Sequence, residues 1–167
     1  MKTGKRIILI GRSGSGKTTL SQKLRGEQIH YEKTQAVSYG AELIDTPGEY
    51  AENHELSHAL ALYSYEADVV GLLLSATEPY SLYAPNITQM ANREVVGIIT
   101  KADHPDARVD RARRWLELAG CREIFVTSSY QNQGIEELSA FLRGDSKKKQ
   151  QKNEKNNRKG IDKQEKP

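Results

Sequence analysis

The sequence predicts an α/β fold of three layers, with a mainly parallel sheet of five to six strands between helices. Three observations carry this expectation. Short apolar, largely β-branched runs recur at residues 7–10, 69–74 and 95–99. Runs apolar at every position suit parallel strands covered on both faces. Helical patterns separate these runs, the alternation of parallel strands joined by crossovers. Finally, Gly11-Arg12-Ser13-Gly14-Ser15-Gly16-Lys17-Thr18 stands between the first strand and the first helix. It fits the phosphate-binding P-loop pattern, G-x-x-x-x-G-K-[ST], in the strand–loop–helix setting that the pattern requires. In such a fold the loops at the carboxyl ends of the strands hold the ligand.

The elements follow in order. Residues 5–10 read as a buried strand and 18–24 as a helix that Gly26 stops. Residues 27–35 are mostly polar, and 36–39 and 41–44 flank Gly40 as a short hairpin ending in Asp45-Thr46-Pro47-Gly48-Glu49. Residues 53–65, with leucines at 56, 60 and 62, predict a helix, and 69–74 a strand. Pro79 and Pro85 make 75–86 a loop, and 87–92 supply one or two helical turns. After the strand at 95–99, Pro105 is expected to open a helix running through Trp115 to Ala119, closed by Gly120. Residues 123–126 form the last strand, and 135–142, after Gly134, the last helix.

Composition divides the chain into a domain at 1–143 and a basic tail at 144–167. The tail holds nine Lys/Arg and four Asp/Glu, so the body is mildly acidic although the whole chain carries +3. Ile161 is the tail's one large aliphatic residue, too little apolar surface to order it, and a solvated appendage is expected. Nucleic acid is not expected as a partner. Cys121 is alone, which excludes an internal disulfide and suits a reducing cytoplasm. No apolar run approaches a membrane span, and the basic start at residues 1–6 precedes too short an apolar run for a signal peptide.

Residue type states the chemistry of the loop. Backbone N–H groups must turn inward around a polyphosphate, so side chains must not block the turn. Gly11, Gly14 and Gly16 permit this, with Arg12, Ser13 and Ser15 between them. Lys17 offers a point charge to the terminal phosphates and Thr18 a hydroxyl to Mg²⁺. The helix N-terminus at Thr18-Thr19 adds its dipole and donors. Asp45, at a strand end, can hold a water on Mg²⁺, and Gly48 can let the backbone approach a γ-phosphate. An Asp-x-Pro-Gly turn is common by itself, and only its place behind the P-loop unit favours function. Thr100-Lys101-Ala102-Asp103 ends another strand. Asp103 can accept two hydrogen bonds from the N1–H and N2–H₂ edge of guanine, and the Lys101 stem can lie across the base. Adenine presents no such donor pair. Thr127-Ser128-Ser129 could line the same pocket.

G-x-x-x-x-G-K-T, D-T-P-G and T-K-x-D in this order resemble a Ras-like P-loop NTPase, a small GTPase-type G domain, over roughly residues 5–143. More narrowly, the P-loop, Lys33-Thr34-Gln35-Ala36, Asp45-Thr46-Pro47-Gly48-Glu49-Tyr50 and Ile98-Ile99-Thr100-Lys101 resemble the EutP/PduV family. These are ethanolamine- and propanediol-utilisation proteins of bacterial microcompartment systems. The resemblance implies a cytoplasmic protein binding GTP or ATP with Mg²⁺, and microcompartment shell proteins as partners. For ethanolamine-side members it implies acetate kinase activity, with acetate as a second substrate. It matches Gly11 to Thr18 to the phosphate loop and Thr34 to the switch threonine that closes on Mg²⁺ and the γ-phosphate. Asp45 and Gly48 match the second switch, Lys101 and Asp103 the base motif, and Ser128 and Ser129 the last, loosest motif. Thr18, Thr34 and Asp45 form the metal set on this basis, and Lys17, Thr34 and Glu49 are the catalytic candidates.

Glu49 departs from the pattern, standing near where Ras-like proteins carry glutamine. An ionised carboxylate only accepts hydrogen bonds, whereas glutamine orients water through both donor and acceptor, so slow hydrolysis is expected. No cis arginine finger is evident, with Arg12 and Arg25 as candidates by proximity in sequence alone. His54-Glu55-Leu56-Ser57-His58 fits H-E-x-x-H, but it directly follows the Asp45 motif and lacks a third ligand at metzincin spacing. A zinc site is therefore not expected. The tyrosines at 63, 65, 80 and 83 read as core and exposed loop aromatics before they read as a partner surface. Three functions stay open: a slow GTPase-like hydrolase, an acetate phosphotransferase and a scaffold in which nucleotide only stabilises the fold.

Overall fold

The computed structural model describes residues 4–26, 38–39, 43–45 and 56–145, with the two middle segments described by their backbone. The strands are β1 (Ile7–Ile10), β2 (Ser38–Tyr39), β3 (Leu43–Asp45), β4 (Val69–Ser75), β5 (Glu94–Thr100) and β6 (Ile124–Val126). The helices are α1 (Lys17–Leu24), α2 (Leu56–Tyr63), α3 (Val109–Ala119) and α4 (Ile135–Arg143), with a 3₁₀ turn at Ile87–Met90. The sheet runs β2-β3-β1-β4-β5-β6, parallel except for the antiparallel β2–β3 pair. The α/β expectation and the hairpin before Asp45 are both met.

Alternation along the strands makes two cores. Ile7, Leu9, Val69 and Leu73 face Leu20 of α1 and Leu138 of α4. Ile8, Ile10, Val70 and Leu72 face Leu60 of α2 and Leu116 of α3. Both sets are almost completely shielded from water, the burial that parallel strands need. Gly97 makes room at one crossing, since a Cβ there would lie 2.9 Å from Leu116 Cδ1. The chain leaves β1 toward β3 on one side and β4 on the other. Strand order therefore reverses beside β1, which opens a crevice at its carboxyl end, where residues 11–16 lie.

The boundaries need some correction. Pro105 does not open α3, which begins at Val109. A turn intervenes: Asp106 N–H donates to His104 Nδ1 at 3.1 Å and Ala107 N–H to His104 O at 2.9 Å. Arg108 then caps the helix, its N–H spent on Ala76 O at 2.7 Å. A proline suits a first helical position, but local turn bonds and a tertiary bond set the start here. Ser75, read as loop, closes β4, and Glu94 and Thr100 extend β5, because β4 and β5 pair along their full lengths. Residues 64–66 form a turn beyond α2, while 53–55 lie outside the described residues.

A candidate nucleotide site at the carboxyl ends of the strands

The phosphate loop is built by two left-handed glycines, Gly14 (φ 77°) and Gly16 (φ 94°). A side chain would cost about 1–2 kcal/mol at each position. Gly11 is needed for space, since a Cβ there would stand 2.7 Å from Ser15 Oγ and 3.0 Å from Leu73 O. Gly16 caps α1 with no side-chain hydrogen bond to the helix N-terminus. Lys17, the first residue of α1, is buried, and its Nζ donates to Gly11 O at 2.6 Å and Arg12 O at 2.9 Å. The ammonium thus sits over the loop's own carbonyls, at the mouth of the helix. Thr18 and Thr19 are half-buried in the first turn of α1, and Ser13 is half-buried in the loop. Ser15 Oγ is buried with no hydrogen-bond partner among the described residues.

The base motif meets this loop directly. Thr100 ends β5, is buried, and donates its Oγ1 hydrogen to Ser15 O. Lys101, left-handed at φ 55°, donates Nζ to Gly14 O at 2.7 Å. That backbone region is uncommon for lysine, and the tether helps to hold it. Asp103 is exposed two residues further on. Ala102 N–H donates to Thr127 O at 3.2 Å, while Thr127 N–H and Oγ1 both reach Ile99 O, at 2.7 and 2.9 Å. Ser128, fully buried, exchanges backbone bonds of 3.0 Å with Gln133 and accepts Gln131 N–H on Oγ at 3.1 Å. Ser129 follows, half-buried. Residues 11–18, 100–103 and 127–129 therefore lie along one edge of the sheet.

Asp45 ends β3, with its Cα opposite Leu9 of β1 and Ser38 of β2, so its backbone lies two residues before the loop in register. Thr34, Gly48 and Glu49 lie outside the described residues, as do His54 and Glu55 of the H-E-x-x-H pattern. His58 is exposed on α2, and no group of three His, Cys, Asp or Glu that could hold a metal exists among the described residues. Arg25 is exposed beyond the far end of α1, about 12 Å of helix from the loop.

Glu78 and Arg111 went unrecognised in the sequence, as did the contacts that Arg12, Tyr80 and Tyr83 make. Arg12 NH1 pairs with Glu78 Oε2 at 2.9 Å, and its guanidinium lies 5.4 Å from the Tyr80 ring centroid. Glu78 is the chief cause of the raised Arg12 pKa, which burial opposes. Arg111 of α3 donates to Glu78 O at 2.6 Å. Tyr83, buried, donates its hydroxyl to Leu73 O at 2.5 Å and lies 3.1 Å from Ile10 O. Burial, with smaller contributions from Cys121 and Glu78, raises its pKa. The tyrosines accordingly divide: Tyr83 is core, Tyr63 packs partly against the core, and Tyr65 and Tyr80 are exposed. Single-sequence pattern gives no signal for these contacts, because 75–86 is irregular and its partners lie from 10 to 73 residues away.

A family model described as "Ethanolamine utilisation - propanediol utilisation", PduV-EutP, matches residues 4–144. The propanediol utilization protein PduV of Citrobacter freundii is 46% identical over 139 residues, 83% of this chain and 93% of that protein. The probable acetate kinase EutP of Escherichia coli K12 is 33% identical over 141 residues, 83% of this chain and 89% of that protein. Among solved structures, a GDP-bound Roco protein of Methanosarcina barkeri aligns at TM-score 0.60 and 18% identity. The alignment covers 87% of this chain and 51% of that one, and the likeness concerns the fold.

Proposed function

Because the chain belongs to the PduV-EutP family of ethanolamine and propanediol utilisation, we propose that it is a Mg²⁺-dependent, guanine-preferring nucleoside triphosphatase serving that metabolism at a microcompartment. One observation carries the reading: Thr100 and Lys101 of the base motif bond to the carbonyls of Ser15 and Gly14 in the phosphate loop. The elements for the two ends of a nucleotide thereby form one body. The loop fits a polyphosphate, because Gly14 and Gly16 turn without side chains and the buried Lys17 ammonium waits on backbone carbonyls. In this reading Lys17 exchanges those carbonyls for the terminal phosphates and neutralises charge that develops there. Asp103 selects the base and Lys101 covers it, with Ser128 and Ser129 at the side of the pocket. Thr18, Asp45 and Thr34 would hold Mg²⁺, which when bound supplies further neutralisation of phosphate charge. Glu49 replaces a glutamine and only accepts hydrogen bonds, so turnover is slow. In this reading the nucleotide-binding domain is residues 1–143, and the basic segment at 144–167 takes no part in the site.

A second reading, phosphoryl transfer to acetate, is favoured by the likeness to the probable acetate kinase EutP. It uses the same loop with a carboxylate in place of water. The purified protein with GTP or ATP, with and without acetate, separates the readings, with Lys17→Ala as control. Phosphate release without acetate supports the hydrolase, and acetyl phosphate formed by wild type alone supports the transferase. Nucleotide binding with neither product leaves a scaffold. An unaltered Lys17→Ala protein would sink both enzymatic readings.

A further inference from the structure

The segment that follows β4 touches both the phosphate loop and the element behind the base motif. Ser75 shapes it: its Oγ lies 2.8 Å from Thr77 Oγ1, and its carbonyl accepts Glu78 N–H at 3.0 Å. Ala76 N–H donates to Thr100 O at 2.9 Å, and Ala76 O accepts Arg108 N–H at 2.7 Å. Arg111 adds its bond to Glu78 O. Glu78 is thus fixed from behind by β5 and α3 while its carboxylate, only 13% exposed, reaches forward to Arg12. Arg12 is a loop residue whose carbonyl accepts both Lys17 Nζ, at 2.9 Å, and Ser15 N–H, at 3.1 Å.

We propose that Glu78 is a positioning residue of the phosphate loop. It clasps the Arg12 guanidinium against Tyr80, and so holds the Arg12 carbonyl on which the Lys17 ammonium rests. The inference deepens the nucleotide-site reading and rests on it. The clasp closes a ring with the other tether: Arg12 to Glu78, along the segment to Ala76, across to Thr100, and back to Ser15. The loop is therefore gripped at both shoulders, by a side-chain ion pair at residue 12 and by backbone acceptors at residues 14 and 15. Arg12 is spent in this clasp rather than held out as an arginine finger. A loop preset in this way loses less freedom when a polyphosphate binds.

The test titrates the full chain with mant-labelled GTP and ATP and the matching monophosphates, in wild type, Glu78→Ala, Glu78→Gln, Arg12→Ala and the Arg12→Ala/Glu78→Ala double variant. For the triphosphate that binds, each single variant is expected to raise Kd about fivefold, the scale of one partly shielded ion pair. The double variant should be no worse than the poorer single one. The monophosphate Kd should change about twofold or less, because Lys17 acts on the terminal phosphates. Equal losses for triphosphate and monophosphate would mean that Glu78 merely supports the fold, and would overturn the inference. A triphosphate Kd unchanged in Glu78→Gln would overturn it as well; this near-isosteric variant keeps the test available if Glu78→Ala does not fold. Lys17→Ala separates the two levels of failure. If it loses triphosphate binding while the Glu78 variants do not, the clasp alone fails. If it too binds normally, the nucleotide-site reading fails with it.

Discussion

At the phosphate end of the candidate site, residues 11–18 come from one contiguous run, and the local sequence dictates their path: β1, two left-handed glycines, then α1. At the base end, residues 100–103 run from the last residue of β5 and 127–134 follow β6. Only non-local bonds bring them together, from Ala102 to Thr127 and from Thr127 to Ile99, while the Ser128–Gln133 bridge shapes the second segment locally. A contiguous loop keeps its path when a distant neighbour is lost, although its hold on a ligand weakens, because its conformation is encoded where it stands. An assembled pocket depends on each long-range contact, because no local preference replaces one that is lost.

Lys17→Ala should produce the largest effect, weakening triphosphate binding roughly 100-fold or more while base preference among residual binders stays unchanged, as read by equilibrium titration. Loss of base preference as well would show that the two ends are not separable. Asp103→Asn should act on the opposite end, moving preference from guanine toward xanthine nucleotides by about 100-fold in the ratio of affinities. An unaltered ratio would remove Asp103 from the base pocket. Gly134→Ala breaks the assembled end by sterics. A Cβ there would lie 2.0 Å from Val126 O on a backbone at φ 69°. About 3 kcal/mol of stability should be lost in denaturant unfolding, with base discrimination suffering more than phosphate affinity. Thr100→Val removes one of the two bonds that join the ends, and an affinity loss of about tenfold for whole nucleotide should follow.

The smallest effect concerns Cys121, buried just after the end of α3. Burial pushes its thiol from 9.0 up to about 12. The folded protein therefore keeps the proton after the unfolded chain has released it. This contribution leaves stability unaffected below pH 9 and lowers it as pH rises from there toward 12. A thiol reagent at pH 8 should label Cys121 only as the protein unfolds. Rapid labelling of the native state would mean that the core around it opens locally.

The same contrast explains what was legible. The apolar runs revealed the parallel strands, because burial on both faces leaves a continuous apolar signature. Gly11, Gly14, Gly16 and Lys17 could be read as a phosphate loop, because their spacing is itself the local geometry. Glu78, Tyr80 and Tyr83 could not be read as its neighbours. They lie in a stretch without periodicity, and Tyr83 looks like an exposed loop aromatic until it is seen bonded to carbonyls of β1 and β4. Pro105 misled for a related reason: a side-chain turn at His104 and the Arg108–Ala76 bond outweighed the preference of proline for a helix start.

By itself, the sequence determined the three-layer α/β class and the phosphate loop, since hydrophobic periodicity and glycine placement are local properties of the chain. Only the tertiary structure decided that Thr100 and Lys101 grip that loop from one shoulder while Glu78 grips it from the other. Those bonds join residues 66 to 87 positions apart, and their partners are chosen by how the strands stack beside β1.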